Sequence, residues 1–250
     1  MSGKENKTIK PYEKMADHYD YLLRHVDYTE WYEYIKKIAH VYCASPEYIL
    51  EIGTGTGKFG AKFAADSIPV YGMDISHEML LKASKRAFGN YRIFQGDIRK
   101  FYLKKKFDFI FCVHDTINYL TSKKDVIKAL RNVKDIMHEN SVFLFDITTE
   151  YNIYRYFNNK ASQYTNKHND ITWINTYNKR KRLITSTLSF NDKAGEVFTE
   201  NHIQKIYHPD EMKKFIKKAG LEIIDIFSDY TYEMYDDTTI MINFLVRKKK

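Results

Sequence analysis

Tyr48-Ile49-Leu50-Glu51-Ile52-Gly53-Thr54-Gly55-Thr56-Gly57-Lys58-Phe59-Gly60 is the stretch whose reading decides the fold. A short apolar run with β-branched residues is the pattern of a buried strand. It breaks into glycines at alternate positions and passes into Lys58 to Ala65, spaced as an amphipathic helix. In a strand, glycine turn and helix N-terminus, backbone can approach a ligand closely and free N–H groups point outward. That arrangement suits the polar end of a nucleotide-like molecule.

Three readings of the loop compete. A P-loop requires G-x-x-x-x-G-K-[ST], but Ile52 stands at its first position and Phe59 follows Lys58. A dinucleotide fingerprint can be traced from Gly55 through Gly57 to Gly60, yet it begins two residues late, because the apolar strand ends at Ile52. The third reading takes E-x-G-x-G-x-G whole, from Glu51 to Gly57. The loop alone does not choose between the last two.

The segments downstream alternate strand and helix. Ile68 to Ile75 reads as a second strand ending in Asp74, 17 residues past Gly57. A doubly wound fold places there a carboxylate that accepts both ribose hydroxyls. The alternative, an N-cap for the helix from Ser76 to Ala83, is better filled by Ser76. A third strand, Tyr91 to Gln95, leads into Gly96-Asp97-Ile98. Asp97 can accept from an adenine amino group and the Ile98 N–H can donate to the ring; Asp97 also suits a turn. Phe107 to Val113 is a fourth strand, followed by His114-Asp115-Thr116-Ile117-Asn118-Tyr119-Leu120. A helix from Lys123 to His138 and a fifth strand from Ser141 to Ile147 complete the series. This is an α/β chain with a parallel doubly wound sheet and a ligand crevice at the strands' carboxyl ends.

Residues 150–208 break the alternation. Ile171 to Tyr177, Leu183 to Phe190 and Glu196 to Tyr207 read as strands, with a turn over Asn191-Asp192-Lys193-Ala194-Gly195. Trp173 and Tyr177 share a face there, suited to a pocket wall, a dimer contact or an ordinary sheet face. A helix from Pro209 to Ala219, stopped by Gly220, and strands at Leu221 to Phe227 and Thr239 to Val246 follow. Ahead of the glycine loop, residues 11–42 form two helices, with Asp27 or Thr29 as the cap of the second. They carry Tyr12, Tyr19, Tyr21, Tyr28, Tyr32 and Tyr34, which suit packing or a lid whose hydroxyls reach a ligand. The expected organisation is a helical lid over 1–44, a core over 45–149 and 209–250, and an antiparallel β insertion over 150–208.

Composition sets bounds. A chain of 250 residues with 44% hydrophobic and 16% aromatic content has the material for one α/β domain and an insertion. The opening residues are polar and no run approaches a membrane span, so the expectation is a soluble, cytoplasmic protein without a membrane partner. Cys43 and Cys112 form neither a disulfide framework nor a zinc spacing, and no metal is expected. The net charge of +8 permits a nucleic-acid partner, but the lysines are dispersed and a solvated surface accounts for them.

With Glu51 to Gly57, Asp74, Asp97 and the Asp115-Asn118-Tyr119 segment in place, the chain resembles the class I S-adenosylmethionine (SAM) dependent methyltransferases. More narrowly it is similar to small bacterial members with a Tyr-Asp near the N-terminus, here Tyr19-Asp20, an Asn-Tyr-Leu after strand four, here Asn118-Tyr119-Leu120, and a β insertion after strand five. That subgroup includes amino-sugar N-methyltransferases. The resemblance implies a Rossmann-like sheet of seven strands, mostly parallel, with the last strand, Thr239 to Val246, antiparallel. It implies that Gly53, Thr54, Gly55 and Gly57 wrap the methionine part of SAM and that Glu51 acts near its amino group. Asp74 would hold the ribose and Asp97 the adenine, with Ile75, Met79 and Ile98 packed on the ring. Tyr19 matches a tyrosine that closes over the cofactor, and His114 counts among both cofactor contacts and bases. Some amino-sugar enzymes carry histidine where Tyr119 stands here.

Methyl transfer from a sulfonium needs a base only to present a neutral amine or to deprotonate a hydroxyl. The candidates are Tyr19, His114, Asp115, Tyr119 and Asp146, with His202 if the insertion folds over the crevice. The D-P-P-Y type motif of nucleic-acid base methyltransferases is absent. The expected activity is methyl transfer to a small molecule, nitrogen ahead of oxygen, by a monomer or homodimer that releases S-adenosylhomocysteine. RNA or protein methylation, a SAM-binding regulator without turnover and a nicotinamide dehydrogenase are the alternatives; Asp97 argues against the last.

Overall fold

The computed structural model describes residues 6–165, 169–192 and 195–249. The chain begins with β1 (Asn6–Ile9), α1 (Met15–Leu22) and α2 (Tyr28–Cys43). It continues through β2 (Ile49–Ile52), α3 (Lys58–Ala65), β3 (Val70–Asp74), α4 (His77–Ala83), β4 (Tyr91–Gln95) and β5 (Phe107–Cys112). After a 3-10 turn (Thr116–Tyr119) come α5 (Lys123–Asp135), β6 (Met137–Thr148) and the short α6 (Glu150–Asn152), which runs into a π-helical turn (Ile153–Phe157). The chain then forms β7 (Ala161–Thr165), β8 (Asn169–Asn178), β9 (Leu183–Asp192) and β10 (Val197–Lys205). It ends with α7 (Pro209–Ala219), β11 (Leu221–Ser228) and β12 (Met241–Lys248).

One sheet has seven strands in the order β11-β12-β6-β5-β2-β3-β4. β4, β3, β2, β5 and β6 pair in parallel, and β12 pairs antiparallel with both β6 and β11. The fold is therefore α/β with a mostly parallel sheet. Side-chain alternation explains how the sheet is covered. Ile110, Cys112, Phe143 and Phe145 enter one core with Leu130 of α5 and Phe215 of α7. Phe109, Phe111, Val142 and Leu144 enter the other with Ile35 of α2 and Phe63 of α3. The strand order reverses between β2 and β5, which opens a crevice at their carboxyl ends.

The helix starts follow from capping. Asp27 accepts the N–H groups of Thr29 and Glu30, Ser76 accepts that of Met79, and His208 with Glu211 forms a capping box before α7. The helix expected to reach His138 stops at Asp135. Ile136 and Met137 fit the helical spacing, but the Ile136 carbonyl accepts Phe107 N–H at 3.0 Å and Met137 pairs with Phe107, which turns the chain into β6.

A second sheet has the order β1-β10-β9-β8-β7. Two of its members were not foreseen. β1 runs parallel to β10, and β7 flanks β8; both are edge strands with mostly exposed, polar residues and give no apolar alternation. The helical stretch over 150–157 was likewise unforeseen. The turn expected over 191–195 centres on Lys193 and Ala194, which lie outside the described residues, as do residues 1–5 and Lys250. Trp173 packs against a cluster that includes Met15 and Leu22 of α1, so the insertion sheet supports the N-terminal helix. Tyr177 donates to Glu150 and packs with Ile153 and Ile184. Among the described residues no helix is long and apolar enough to cross a membrane.

Gly60 is required by packing. A Cβ there would lie 2.2 Å from Cζ of the Tyr91 ring. Gly60→Ala should cost about 1–3 kcal/mol through overpacking, read as a lower urea midpoint with an unchanged slope; an unchanged midpoint would show that Tyr91 can move aside freely.

Candidate active site

A cavity of about 610 Å3 opens at the carboxyl ends of β2, β3, β4 and β5, beneath the tyrosines of the N-terminal segment. Its floor is the glycine loop. Gly53, Gly55 and Gly57 all have left-handed φ, at 75°, 54° and 82°. At Gly53 a Cβ would meet Thr116 Oγ1 at 2.6 Å, whereas at Gly55 it would meet nothing within 4 Å. The loop's N–H groups were expected to be free, and four of them are taken. Those of Gly53 and Thr54 donate to the Met73 carbonyl, at 2.7 and 3.0 Å, and that of Gly57 to Thr54 O at 2.9 Å. Gly55 N–H donates to Asp74 Oδ2 at 2.8 Å. The loop offers close approach at Gly55, whose own N–H is taken by the Asp74 carboxylate.

Three acids sit around this floor. Glu51 is buried; its Oε2 accepts from Thr54 Oγ1 at 2.7 Å and Gly60 N–H at 3.1 Å. Burial pushes its carboxyl up to about 8, against the pull of those two donors. Asp74 accepts from Gly55 and, through Oδ1, from Ser76 N–H at 2.8 Å. Burial raises it too. Asp97 forms a bidentate pair with Arg99, with Nε–Oδ1 at 2.9 Å and a terminal nitrogen–Oδ2 at 2.7 Å, and Arg99 holds it below the usual carboxylate range. Ile75, Met79 and Ile98 line the cavity beside these acids. Ile75 is 56% exposed, leaving an apolar face open to a ligand.

The opposite wall follows β5. His114 and Asp115 have φ of 62° and 53°, two consecutive non-glycine residues in the left-handed region. Such conformations cost about 1–3 kcal/mol each and persist where the surroundings enforce them. Asp146 enforces them: its oxygens accept His114 N–H at 2.6 Å and Asp115 N–H at 2.7 Å, and the Tyr230 hydroxyl donates to the same carboxylate. Asp146 is fully buried and lies off the cavity, so it shapes the wall and does not act as a base there. Asp115 does line the cavity. Burial pushes its carboxyl up to about 7, tempered by Gln204 and His202. His114 is pushed down to about 4, by burial first and then by His25 and Lys58, which leaves a neutral ring and a weak base at pH 7. Asn118, fully buried, bonds Lys205 O and Thr148 N, fixing the turn that presents Tyr119.

The N-terminal segment closes the top. Tyr19 Oη lies 3.4 Å from His114 Nδ1. Asp20 accepts from Thr56 Oγ1 at 2.8 Å and pairs with Arg86 at 2.5 Å, tying α1 to the glycine loop; despite burial, these donors hold its carboxyl low. That explains the Tyr-Asp pair: one residue faces the cavity and the next fastens the helix. The Tyr28 hydroxyl is buried without a hydrogen-bond partner, and Tyr28 lines the cavity. Tyr12 donates to Tyr119 Oη at 2.6 Å, and Tyr119 Oη is 3.0 Å from His202 Nδ1. His202 is itself buried and reaches the cavity only through Tyr119. Glu200 and Gln204 were missed by the sequence reading. They alternate with His202 on one face of β10, and that i, i+2 polar series beside a histidine was the available signal.

Comparison with known proteins agrees with this geometry. A family model described as a methyltransferase domain matches residues 49–140, which hold the glycine loop, Asp74, Asp97 and the His114–Tyr119 turn. The crystal structure of a SAM-dependent methyltransferase from Clostridium acetobutylicum is 27% identical, with a TM-score of 0.81 over 96% of this chain and 99% of that one. YqeM of Bacillus subtilis is 27% identical over 88% of this chain and 90% of its own length. A dTDP-3-amino-3,4,6-trideoxy-alpha-D-glucopyranose N,N-dimethyltransferase of Streptomyces venezuelae is 26% identical over 52% of this chain and 56% of its own. A parallel sheet with its crevice at the glycine loop, and a solved SAM-dependent methyltransferase matched along nearly its whole length, identify the chain as a SAM-dependent methyltransferase of class I.

Proposed function

We propose that this enzyme methylates an amine nitrogen of a small molecule. The charge of the cavity carries the reading. Glu13, Asp74, Glu78, Asp97 and Asp115 line it against Lys10, Lys58 and Arg99. An acidic, tyrosine-walled space attracts a cationic acceptor and repels a phosphate backbone, even though the chain as a whole is basic. The sugar-amine dimethyltransferase among the relatives supports nitrogen as the target.

The residues present fit SAM. Gly55 leaves space over the loop, Asp74 offers carboxylate oxygens to a ribose diol, and the unpartnered Tyr28 hydroxyl is available to a polar ligand atom. Gly53, Thr54, Gly55 and Gly57 would hold the methionine part, with Glu51 serving its amino group. Asp97 would accept from the adenine amino group, and Ile75, Met79 and Ile98 would pack on the ring. Tyr19 and His114 close over the reacting end. Residues 1–44 serve as the lid, and 150–208 cap the acceptor side.

SAM supplies a methyl group on a sulfonium whose departure as a thioether needs no proton. The protein must align the nucleophile and exclude water, and alignment can contribute up to roughly 7–11 kcal/mol. Asp115, near neutrality, holds the acceptor ammonium and takes its proton. Tyr12 and Tyr119 orient the amine by accepting its remaining N–H bonds.

Asp74→Ala should weaken SAM binding in calorimetry by about 10- to 100-fold, the scale of a lost charge-assisted hydrogen bond; unchanged affinity would remove the ribose assignment. The raised Asp115 carboxyl favours the fold while protonated, a contribution present below its unfolded value and lost as pH rises through about 7. Asp115→Asn should therefore be more stable than the native enzyme at pH 8 by on the order of 1–3 kcal/mol, with kcat lower by about 10²–10⁴; equal stability at pH 8 would contradict the buried charge. With methyl-labelled SAM and a host extract split into small-molecule, RNA and protein pools, label should enter an amine in the small-molecule pool. Label in RNA or protein would overturn the proposal.

A further inference from the structure

Behind Tyr119 lies a pair of buried groups that methyl transfer does not itself require. Glu200 is fully buried on β10 and His202 is 4% exposed. Each carboxylate oxygen of Glu200 has two partners. Oε1 accepts Lys14 N–H at 2.5 Å and Met15 N–H at 2.8 Å; Oε2 accepts Tyr12 N–H at 2.8 Å and lies 3.0 Å from His202 Nε2. An ionised carboxylate has about four lone-pair sites and no proton to give. With three filled by backbone donors, its contact with His202 is a hydrogen bond only if Nε2 carries the proton. With that as the ring's single proton, Nδ1 is bare, and its neighbour at 3.0 Å is Tyr119 Oη.

The rest of the chain follows. Tyr119 donates to His202 Nδ1, Tyr12 donates to Tyr119 at 2.6 Å, and both tyrosines line the cavity. Each hydroxyl has one proton, and both protons are committed away from the ligand space. Moving the ring proton to Nδ1 would reverse the series: Tyr119 would donate to Tyr12, and Tyr12 would turn its proton toward the ligand.

We infer that the Glu200–His202 pair sets the hydrogen-bond polarity of Tyr119 and Tyr12, so that this wall presents only lone pairs and selects a methyl acceptor arriving as an N–H donor. This rests on the small-molecule amine reading and adds its specificity device. Glu200, His202 and Tyr12 are positioning residues that act through the oxygens they orient. Tyr12 has a left-handed φ of 68° and packs edge-on against the His202 ring at 4.7 Å, so the same carboxylate that fixes the tautomer seats the tyrosine.

The test reads the proton directly. In 15N-histidine protein loaded with S-adenosylhomocysteine at pH 8, with His202 assigned by the loss of its signals in His202→Gln, Nε2 should be protonated and Nδ1 bare. A proton on Nδ1 would overturn the inference. Pyrrole and furan, uncharged rings of nearly equal shape that offer an N–H and a lone pair respectively, then probe the wall in the same loaded protein. Pyrrole should bind at least about tenfold tighter, the scale of one satisfied against one unsatisfied polar contact, and Tyr119→Phe should erase the difference while leaving S-adenosylhomocysteine affinity unchanged. Equal binding of the two probes, or a preference that survives in Tyr119→Phe, would overturn the specificity. These readouts need no natural acceptor: if label enters RNA or protein the amine reading fails, while the tautomer still decides the polarity of the wall.

Discussion

Carboxylates that accept backbone N–H groups hold the cavity open. Asp74 takes Gly55 and Ser76, Asp146 takes His114 and Asp115, and Glu200 takes Tyr12, Lys14 and Met15. Each serves a segment in which the chain leaves regular structure and its donors would otherwise be unpaired. Burying an acid costs several kcal/mol, and charge-assisted bonds of about 1.5–3 kcal/mol each offset it. The wall conformations at Gly55, His114, Asp115 and Tyr12, all left-handed, depend on these anions. Removing one carboxylate therefore releases a strained turn as well as a contact.

The same arrangement separates acids that build the site from acids that face a ligand. Asp146 has no free oxygen directed at the cavity, and its raised carboxyl, at about 7, follows from burial despite the Tyr230 donor. Asp115 has nearly the same value for the same first cause, yet it lines the cavity. A shifted carboxyl by itself does not distinguish the two; what distinguishes them is which groups occupy their oxygens. By that criterion Asp115 is the acid with capacity left for an incoming ammonium.

Much of this was legible in the sequence because the deciding signals are local. Period-two alternation in Phe109 to Cys112 and Val142 to Ile147 fixes two-sided burial, and an acid closing a strand, as at Asp74, marks the crevice edge. What escaped depends on pairing between distant segments. β1 is legible only against Val197 to Glu200, some 190 residues on, and its own residues are polar. Glu200 looks like a surface strand residue until α1 is set on it. The loop N–H groups seemed free because the Met73 carbonyl that consumes two of them is contributed by the neighbouring strand. Asn118, noticed as part of an Asn-Tyr-Leu run, turns out to staple the turn to β10 and β6, and its neighbour Tyr119 is what meets the cavity.

The two sheets meet through α1 and the 3-10 turn, and this gives the second sheet a mechanical part in the site. α1 is pinned to the glycine loop by Asp20 and to the second sheet by Glu200, with Met15 and Leu22 packed on Ile171, Leu188 and Phe190. A helix of eight residues has little stability of its own, so its position comes from these partners. β10 runs under the cavity with Glu200, His202 and Gln204 directed at the lid, Tyr119 and the Asp115 carbonyl in turn. One strand thus sets the position of the lid, the orientation of the tyrosine hydroxyls and the wall that holds Asp115. Because water exclusion and acceptor alignment draw on the same strand, a shift of β10 by a single residue would turn this polar series away from the cavity and disable all three together.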